Sequence, residues 1–278
     1  MSSHLERRWA GFRLDRPLVM GILNVTPDSF SDGGLFFGSK AAIAAGCAMR
    51  AAGADIIDVG GESTRPGAAI VEPSDEIQRI LPVVRGLAET GAVISVDTRN
   101  AATMSAALDC GAIIVNDVSG LQHDPAAAKI VAARQCGVIL MHMRGTPETM
   151  DQHAHYADLV SEVSSELLVR RDAALAAGIA KEAIALDPGF GFSKVGVQNV
   201  TLLKDIKRFV ALGHPVLVGV SRKRFIGELV DEYMASQRDV ASIAAGLFAA
   251  SRGATILRVH DVLGTVQALR VWHALAAI

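Results

Sequence analysis

Carboxylates, amides and cations gather in this chain at the ends of short apolar runs. The first run closes on Asn24-Val25-Thr26-Pro27-Asp28, and the second on Asp58 followed by Gly60-Gly61-Glu62-Ser63-Thr64-Arg65-Pro66-Gly67. The next three end in Asp97-Thr98, Asn116-Asp117 and His142-Met143. The last three end in Asp187-Pro188-Gly189-Phe190-Gly191-Phe192, Ser221-Arg222-Lys223-Arg224 and Arg258-Val259-His260-Asp261. Buried carboxylates and amides cost free energy unless paired. A single Asp in such a place reads equally well as a helix cap or a structural ion pair. Eight clusters in the same position serve structure poorly and point to an enzyme. Arg258 and His260 stand two apart on one strand and so face the same side, and a guanidinium can grip phosphate oxygens with two hydrogen bonds. No Ser or Cys sits beside a basic partner in a nucleophile motif. His142, His153 and His155 lack metal-type spacing and read as structural or surface residues.

The apolar runs themselves cover residues 18–25, 54–59, 92–96, 112–115, 137–141, 183–186, 215–220 and 254–259. They lack polar alternation, as strands buried on both faces do. Helical patterns separate them. Residues 39–52 stop at Gly53, residues 100–110 begin on the capping-type Asn100 and stop at Gly111, and residues 156–177 stop at Gly178. Leu159, Val163 and Leu167 form one stripe of that last helix, and a final helix spans residues 261–277. Eight strands alternating with helices predict an α/β fold, a single (β/α)8 TIM barrel over residues 18–278, with a doubly wound sheet as the alternative. Residues 1–17 form a short N-terminal extension outside it. In a barrel the strand ends converge on one rim, where active sites sit. The segments after the first two strands, residues 26–38 and 60–71, are long and Gly-rich, as active-site lids often are.

Of the 278 residues, 50% are hydrophobic, 20% charged and only 5% aromatic. Disorder is excluded, and the core must be built from Ala, Val, Ile and Leu. Lys and Arg total 27 against 29 Asp and Glu, which leaves no basic field for nucleic acid. No apolar run approaches the ~18 residues that span a bilayer. The N-terminus, charged at Glu6, Arg7, Arg8, Arg13, Asp15 and Arg16, lacks an apolar signal core, so a cytoplasmic, non-membrane protein is expected. Cys47, Cys110 and Cys136 are widely spaced in Ala-rich helical stretches and read as buried small apolar residues.

The stretch Met20-Gly21-Ile22-Leu23-Asn24-Val25-Thr26-Pro27-Asp28-Ser29-Phe30-Ser31-Asp32-Gly33-Gly34 resembles the dihydropteroate synthase family. So do Gly60-Gly61-Glu62-Ser63-Thr64-Arg65-Pro66-Gly67, Val96-Asp97-Thr98, Met141-His142-Met143 and the remaining strand ends, over nearly the whole chain from Pro17. The resemblance implies a transferase of folate biosynthesis. It would condense 6-hydroxymethyl-7,8-dihydropterin diphosphate with p-aminobenzoate, release pyrophosphate with Mg2+, and form 7,8-dihydropteroate. Asp97, Asn116, Met141, Asp187, Phe192 and Lys223 match the family's pterin contacts. A carboxylate at Asp187 can accept two hydrogen bonds from the pterin's amidine-like edge, and Asn116 offers both donors and an acceptor. Met141 and Phe192 would wall the pocket, or could equally be core. Asn24, Arg258 and His260 match the diphosphate site, with Asn24 as the Mg2+ ligand. Phe30, Thr64, Arg65, Pro66, Ser221, Arg222 and Lys223 match the p-aminobenzoate site, and Asp32 and Asp97 would face cationic character on the pterin. Diphosphate would leave first, assisted by Mg2+, Arg258 and His260. Family members are commonly homodimers, and sulfonamides, which mimic p-aminobenzoate, would compete with it.

One departure is visible. Position 224 is Arg, where the family commonly has a small hydroxyl residue; it either binds the p-aminobenzoate carboxylate or points outward beside Glu228. The rivals are a pterin-dependent methyltransferase, which needs no diphosphate site, a non-catalytic pterin-binding paralogue, and an unrelated phosphate-binding barrel. Arg258-Val259-His260 and Thr64-Arg65-Pro66 argue against the first, and the absence of a missing phosphate or loop residue argues against the second. The two long motifs argue against the third.

Overall fold

Parallel strands whose alternate residues turn inward build the molecule, a computed structural model that describes residues 8–26, 34–62 and 71–276. A small antiparallel hairpin, β1 (Arg8–Trp9) and β2 (Phe12–Arg13), comes first. Then follow β3 (Leu18–Asn24), α1 (Gly34–Ala51), β4 (Ile56–Gly60), α2 (Pro73–Glu89), β5 (Ile94–Asp97), α3 (Ala101–Asp109), β6 (Ile114–Asp117), α4 (Ala127–Arg134) and β7 (Gly137–Met141). The chain continues through α5 (Leu159–Ala176), β8 (Ile184–Asp187), α6 (Val197–Lys204), α7 (Ile206–Val210), β9 (Leu217–Val218), α8 (Arg224–Leu229), α9 (Asp239–Ser251), β10 (Ile256–Val259) and α10 (Val262–Ala276). Eight parallel strands pair in the order β8-β7-β6-β5-β4-β3-β10-β9. A parallel bridge between Leu186 and Val216, with Leu186 N–H donating to the Pro215 carbonyl at 2.9 Å, joins β8 to β9 and closes the ring. This is the (β/α)8 barrel expected. β9 is shorter than its apolar run: Pro215 has no N–H to give a ladder, and Val216 N–H donates to Thr255 Oγ1 at 2.8 Å.

The strand register separates two cores. Val19, Leu23, Ile57, Val59, Val96, Val115, Leu140 and Val218 face outward into the large core under the helices. Their neighbours Leu18, Met20, Ile56, Ile114, Ile139, Ala185, Leu217 and Ile256 meet inside the barrel. Trp9, only 1% exposed, packs among these inner residues, and its indole N–H donates to the Ala183 carbonyl at 2.9 Å. The hairpin thus plugs the end of the barrel where the strands begin.

Local details differ from the sequence expectations at three points. Asn100 precedes α3 but makes no side-chain cap; its amide donates to the buried Glu76 at 2.9 Å, and Asp124 instead accepts from Ala101 N–H at 3.0 Å. The helix expected from residue 156 starts at Leu159, capped by Asp158 accepting from Ser161 N–H. Cys136 lies just before β7 rather than in a helix, and it alone of the three cysteines is fully buried, which pushes its thiol up to about 11. Among the described residues no helix is long and apolar enough to cross a membrane.

Because Trp9 is fully buried among the inner residues, Trp9→Ala should lower unfolding free energy by about 3–5 kcal/mol in denaturant titration. Ligand affinity at the opposite rim should stay unchanged. A loss below ~1 kcal/mol would mean that the hairpin merely lies against the barrel.

Candidate active site

On five strands the inward position nearest the C-terminal end carries a carboxylate, an amide or a guanidinium. Ile56 gives way to Asp58, Ser95 to Asp97, Ile114 to Asn116, Ala185 to Asp187 and Ile256 to Arg258. One pocket at that end is lined by Asp97, Asn116, Val118, Met141, Asp187, Phe190, Phe192, Gly219, Lys223 and Arg258. It contains every residue that the sequence assigned to the pterin.

Charge pairing organises this pocket. Arg258 Nε donates to Asp58 Oδ2 and Arg258 Nη2 to Asp97 Oδ2, both at 2.6 Å. Asn116 Nδ2 donates to the same Asp58 oxygen at 3.0 Å, which fixes the amide's orientation. Asp187 Oδ1 accepts from Gly189 N–H at 2.7 Å. Lys223 Nζ lies 4.1 Å from the centre of the Phe192 ring, a cation–π distance. Burial pushes the Asp97 carboxyl up to about 7, with Arg258 opposing and Asp58 adding to the rise. Burial likewise pushes Asp187 up to about 6, against the Gly189 N–H and the positive charges of Lys223, Lys194 and Arg258. Burial works against the Arg258 charge too, but Asp58 and Asp97 more than offset it and hold its pKa above the usual range. Of five guanidinium N–H donors, these pairs use two and leave three for a ligand.

A larger cavity of about 1010 Å3 shares Asp97, Phe192, Gly219, Lys223 and Arg258 with the pocket. Asn24, Thr26, Glu62, Ser221, Arg222, Arg224 and His260 also line it. Ser221 Oγ accepts from the His260 backbone N–H at 3.1 Å and lies 2.9 Å from His260 Nδ1. A hydroxyl that donates to Nδ1 leaves the ring proton on Nε2. Ser221 therefore orients His260, a task the sequence did not assign to it. Among the described residues no group of three or more His, Cys, Asp or Glu could hold a metal. Asn24 offers a single amide oxygen, which suits a hard cation that takes most of its ligands from phosphate and water.

The two arginines after β9 part company. Arg222 places Nε and Nη2 each 2.7 Å from the Asp239 carboxylate, so its charge is already matched on the cavity wall. Arg224 pairs with Glu228 one turn along α8 at 3.4 Å, its side chain 69% exposed; of the two orientations left open for it, the structure has the outward one. Phe30, Asp32, Thr64, Arg65 and Pro66 lie outside the described residues. Of the other histidines, His142 is fully buried and Glu166-bonded, while His153 and His155 are exposed.

Three features escaped the sequence reading. Asp58 was visible at a strand end but had no assigned partner; it has one oxygen on Arg258 and Asn116 and the other without a hydrogen bond. Glu62 and Arg99 form a buried ion pair at 3.0 Å, and Glu62 also accepts from Val71 N–H at 3.2 Å. Lys194, 2% exposed, places its Nζ against His142 and the Phe192 carbonyl. Only the adjacency of Arg99 and Lys194 to the quoted motifs could have drawn attention to them.

Comparison with known proteins agrees with this geometry. The profile of the family described as Pterin binding enzyme matches residues 20–260. The dihydropteroate synthase of Neisseria meningitidis serogroup C is 46% identical over 265 residues, 94% of each chain. The solved Xanthomonas albilineans dihydropteroate synthase with 4-aminobenzoic acid is 49% identical, with a TM-score of 0.91 and 96% of each chain covered. The Yersinia pestis dihydropteroate synthase in a sulfonamide drug complex is 42% identical, with a TM-score of 0.90 and coverage of 96% and 97%.

Asp187 yields a stability prediction. An unfolded Asp ionises near 3.9, whereas the folded Asp187 holds its proton to about 6. The folded chain thus binds more protons between those values, and stability falls as pH rises through that window. Asp187→Asn keeps an oxygen for Gly189 N–H and removes the cost. In the ligand-free protein it should raise Tm by roughly 2–6 °C at pH 8 and hardly at all at pH 4. A variant less stable than wild type at pH 8 would contradict the burial argument.

Proposed function

The chain belongs to the pterin binding enzyme family, among its dihydropteroate synthases, and on that premise we propose how its own residues carry the reaction. The enzyme condenses 6-hydroxymethyl-7,8-dihydropterin diphosphate with p-aminobenzoate, giving 7,8-dihydropteroate and pyrophosphate for folate synthesis. The observation that carries the residue assignment is the pairing of an inner pocket, with Asp187, Asn116 and Lys223 on its wall, to an outer cavity bearing Asn24, Arg258 and His260.

In this reading the ionised Asp187 accepts two donors of the pterin's amidine-like edge, a charge-assisted pair of the stronger kind. Asn116, already oriented by Asp58, supplies the neighbouring polar contact. Lys223 donates to the ring carbonyl or a ring nitrogen, and Met141 and Phe192 form apolar walls. The three remaining N–H donors of Arg258 and the Nε2–H of His260 meet the diphosphate. Asn24 would hold Mg2+ together with diphosphate oxygens, and the cation's chemistry there is to offset the charge of the departing group. The exocyclic carbon–oxygen bond breaks with its electron pair going to pyrophosphate. Arg258 and His260 stabilise that negative charge, while Asp97 and Asp32 face the positive charge spread over the dihydropterin. The neutral amine of p-aminobenzoate then forms the carbon–nitrogen bond and releases its proton to solvent, with no covalent enzyme intermediate. Phe30, Thr64, Arg65, Pro66, Ser221 and Arg222 are proposed to shape the p-aminobenzoate site. Sulfonamides are proposed to compete there. A homodimer is proposed as well, and the exposed side chains of Leu229, Tyr233 and Met234 support it.

The deciding assay mixes enzyme, Mg2+, pterin diphosphate and p-aminobenzoate and follows pyrophosphate. Release should depend on p-aminobenzoate; its absence would refute the reading. Asp187→Asn should raise KM for the pterin substrate about 10–100-fold, and Arg258→Ala should cut kcat about 10²–10³-fold. Because Asp187 and Asp97 must be ionised, kcat/KM for the pterin substrate should climb as pH rises through about 6 and about 7, then level off. A profile flat from pH 5 to 8 would remove both carboxylates from the mechanism. Arg224→Ser should leave KM for p-aminobenzoate within about twofold, as expected of an exposed pair worth little.

A further inference from the structure

Lys194 is enclosed beside the pterin pocket, yet no step above uses it. Its Nζ lies 2.8 Å from His142 Nδ1, 3.2 Å from the His142 carbonyl and 2.9 Å from the Phe192 carbonyl. All three are acceptors, so the side-chain nitrogen serves as the donor here. Acceptance by Nδ1 leaves the His142 proton on Nε2, which meets Glu166 Oε2 at 2.9 Å. Glu166 is held in turn by Arg144, whose backbone N–H donates to Ser193 Oγ at 3.0 Å. The end of β7, helix α5 and the segment after β8 are thereby tied through one buried side chain, whose pKa burial holds well below the usual lysine range.

That segment needs tying. Gly189, Gly191 and Ser193 have φ of 74°, 73° and 50°, and a left-handed residue with a side chain persists only where its surroundings over-determine it. A Cβ at Gly189 would stand 2.0 Å from the His142 carbonyl oxygen, so the segment crosses the end of β7 in direct contact. Phe192 sits within it. Its carbonyl accepts from Lys194, while its ring lines the pocket with Lys223 Nζ 4.1 Å away.

We propose that Lys194 is a positioning residue for the pterin: by fastening the Phe192 backbone to His142, it sets the ring wall against which the pterin packs. The inference rests on the pterin reading of the pocket. The side chain acts through Phe192 rather than by touching the reacting atoms.

Titration calorimetry of the whole protein with pterin diphosphate and Mg2+, without p-aminobenzoate, tests this. Lys194→Met should weaken pterin binding about tenfold, the scale of a slightly misplaced binding group, and leave KM for p-aminobenzoate within about twofold. In a Phe192→Ala background the same change should add little, because the wall it positions is gone. Binding within twofold of wild type would overturn the proposal. So would a loss that adds fully to Phe192→Ala, which would mean direct contact, or equal losses for both substrates, which would mean general damage. If Lys194→Met does not fold, Lys194→Gln keeps an amide donor and is read by the same criteria. Failure of the wild type to bind pterin diphosphate would overturn the pterin reading itself, whereas variant and wild type binding alike overturns only the role of Lys194.

Discussion

The guanidinium of Arg258, held between Asp58 and Asp97 at 2.6 Å from each, lets three aspartates share the interior of one barrel. Without that cation Asp58, Asp97 and Asp187 would face one another across a space from which water is largely excluded, and such charges cost several kcal/mol each when unpaired. The cation does not neutralise them fully. Asp97 and Asp187 still hold their protons well above the usual carboxylate range. Burial outweighs the nearby cations, and a donor brought to Asp187 would favour its ionised form.

The barrel confines this cost to one end. At the start of the strands the inward positions are Leu18, Met20, Ile56, Ile114, Ile139, Ala185, Leu217 and Ile256, sealed by Trp9. Toward the other end the inward positions become Asp58, Asn116, Asp187 and Arg258. Stability and function therefore occupy successive layers of the same strands, as expected for a fold whose active sites lie at the C-terminal rim. The outer core is indifferent to the change, because Val59, Val96, Val115 and Leu186 stay apolar on the helix-facing side.

Side chains at the rim often serve one another as well as the substrate. Ser221 orients His260, Asp58 orients Asn116 and Arg258, and Lys194 fastens the backbone of Phe192. Such partners fix tautomer, amide direction and ring placement before any ligand arrives. Preorganised groups cost no reorganisation when charge develops. Arg222 and Arg224 illustrate the reverse. Both carry charge near the cavity, but Arg222 is hydrogen-bonded to Asp239 and Arg224 is ion-paired with Glu228.

The strand count, the helix alternation and the polar strand ends were legible in the sequence because each depends on residues close together in the chain. Apolar runs of strand length, Gly at helix stops and a carboxylate or amide at each run's end require no knowledge of neighbours in space. The six residues that the family resemblance assigned to the pterin line one pocket. The caps and partners were not legible. Asn100 looks like a helix cap but is drawn to Glu76, 24 residues away. Asp58 meets Arg258 across 200 residues, Ser221 meets His260 across 39 and Lys194 meets His142 across 52. Those pairs exist only because the sheet sets β10 beside β9 and one strand from β4, and β7 beside β8. Local pattern therefore determined which residue types reach the rim, and the tertiary strand order decided which of them pair, since hydrogen bonds and charge pairing act over a few ångströms of space and are blind to separation along the chain.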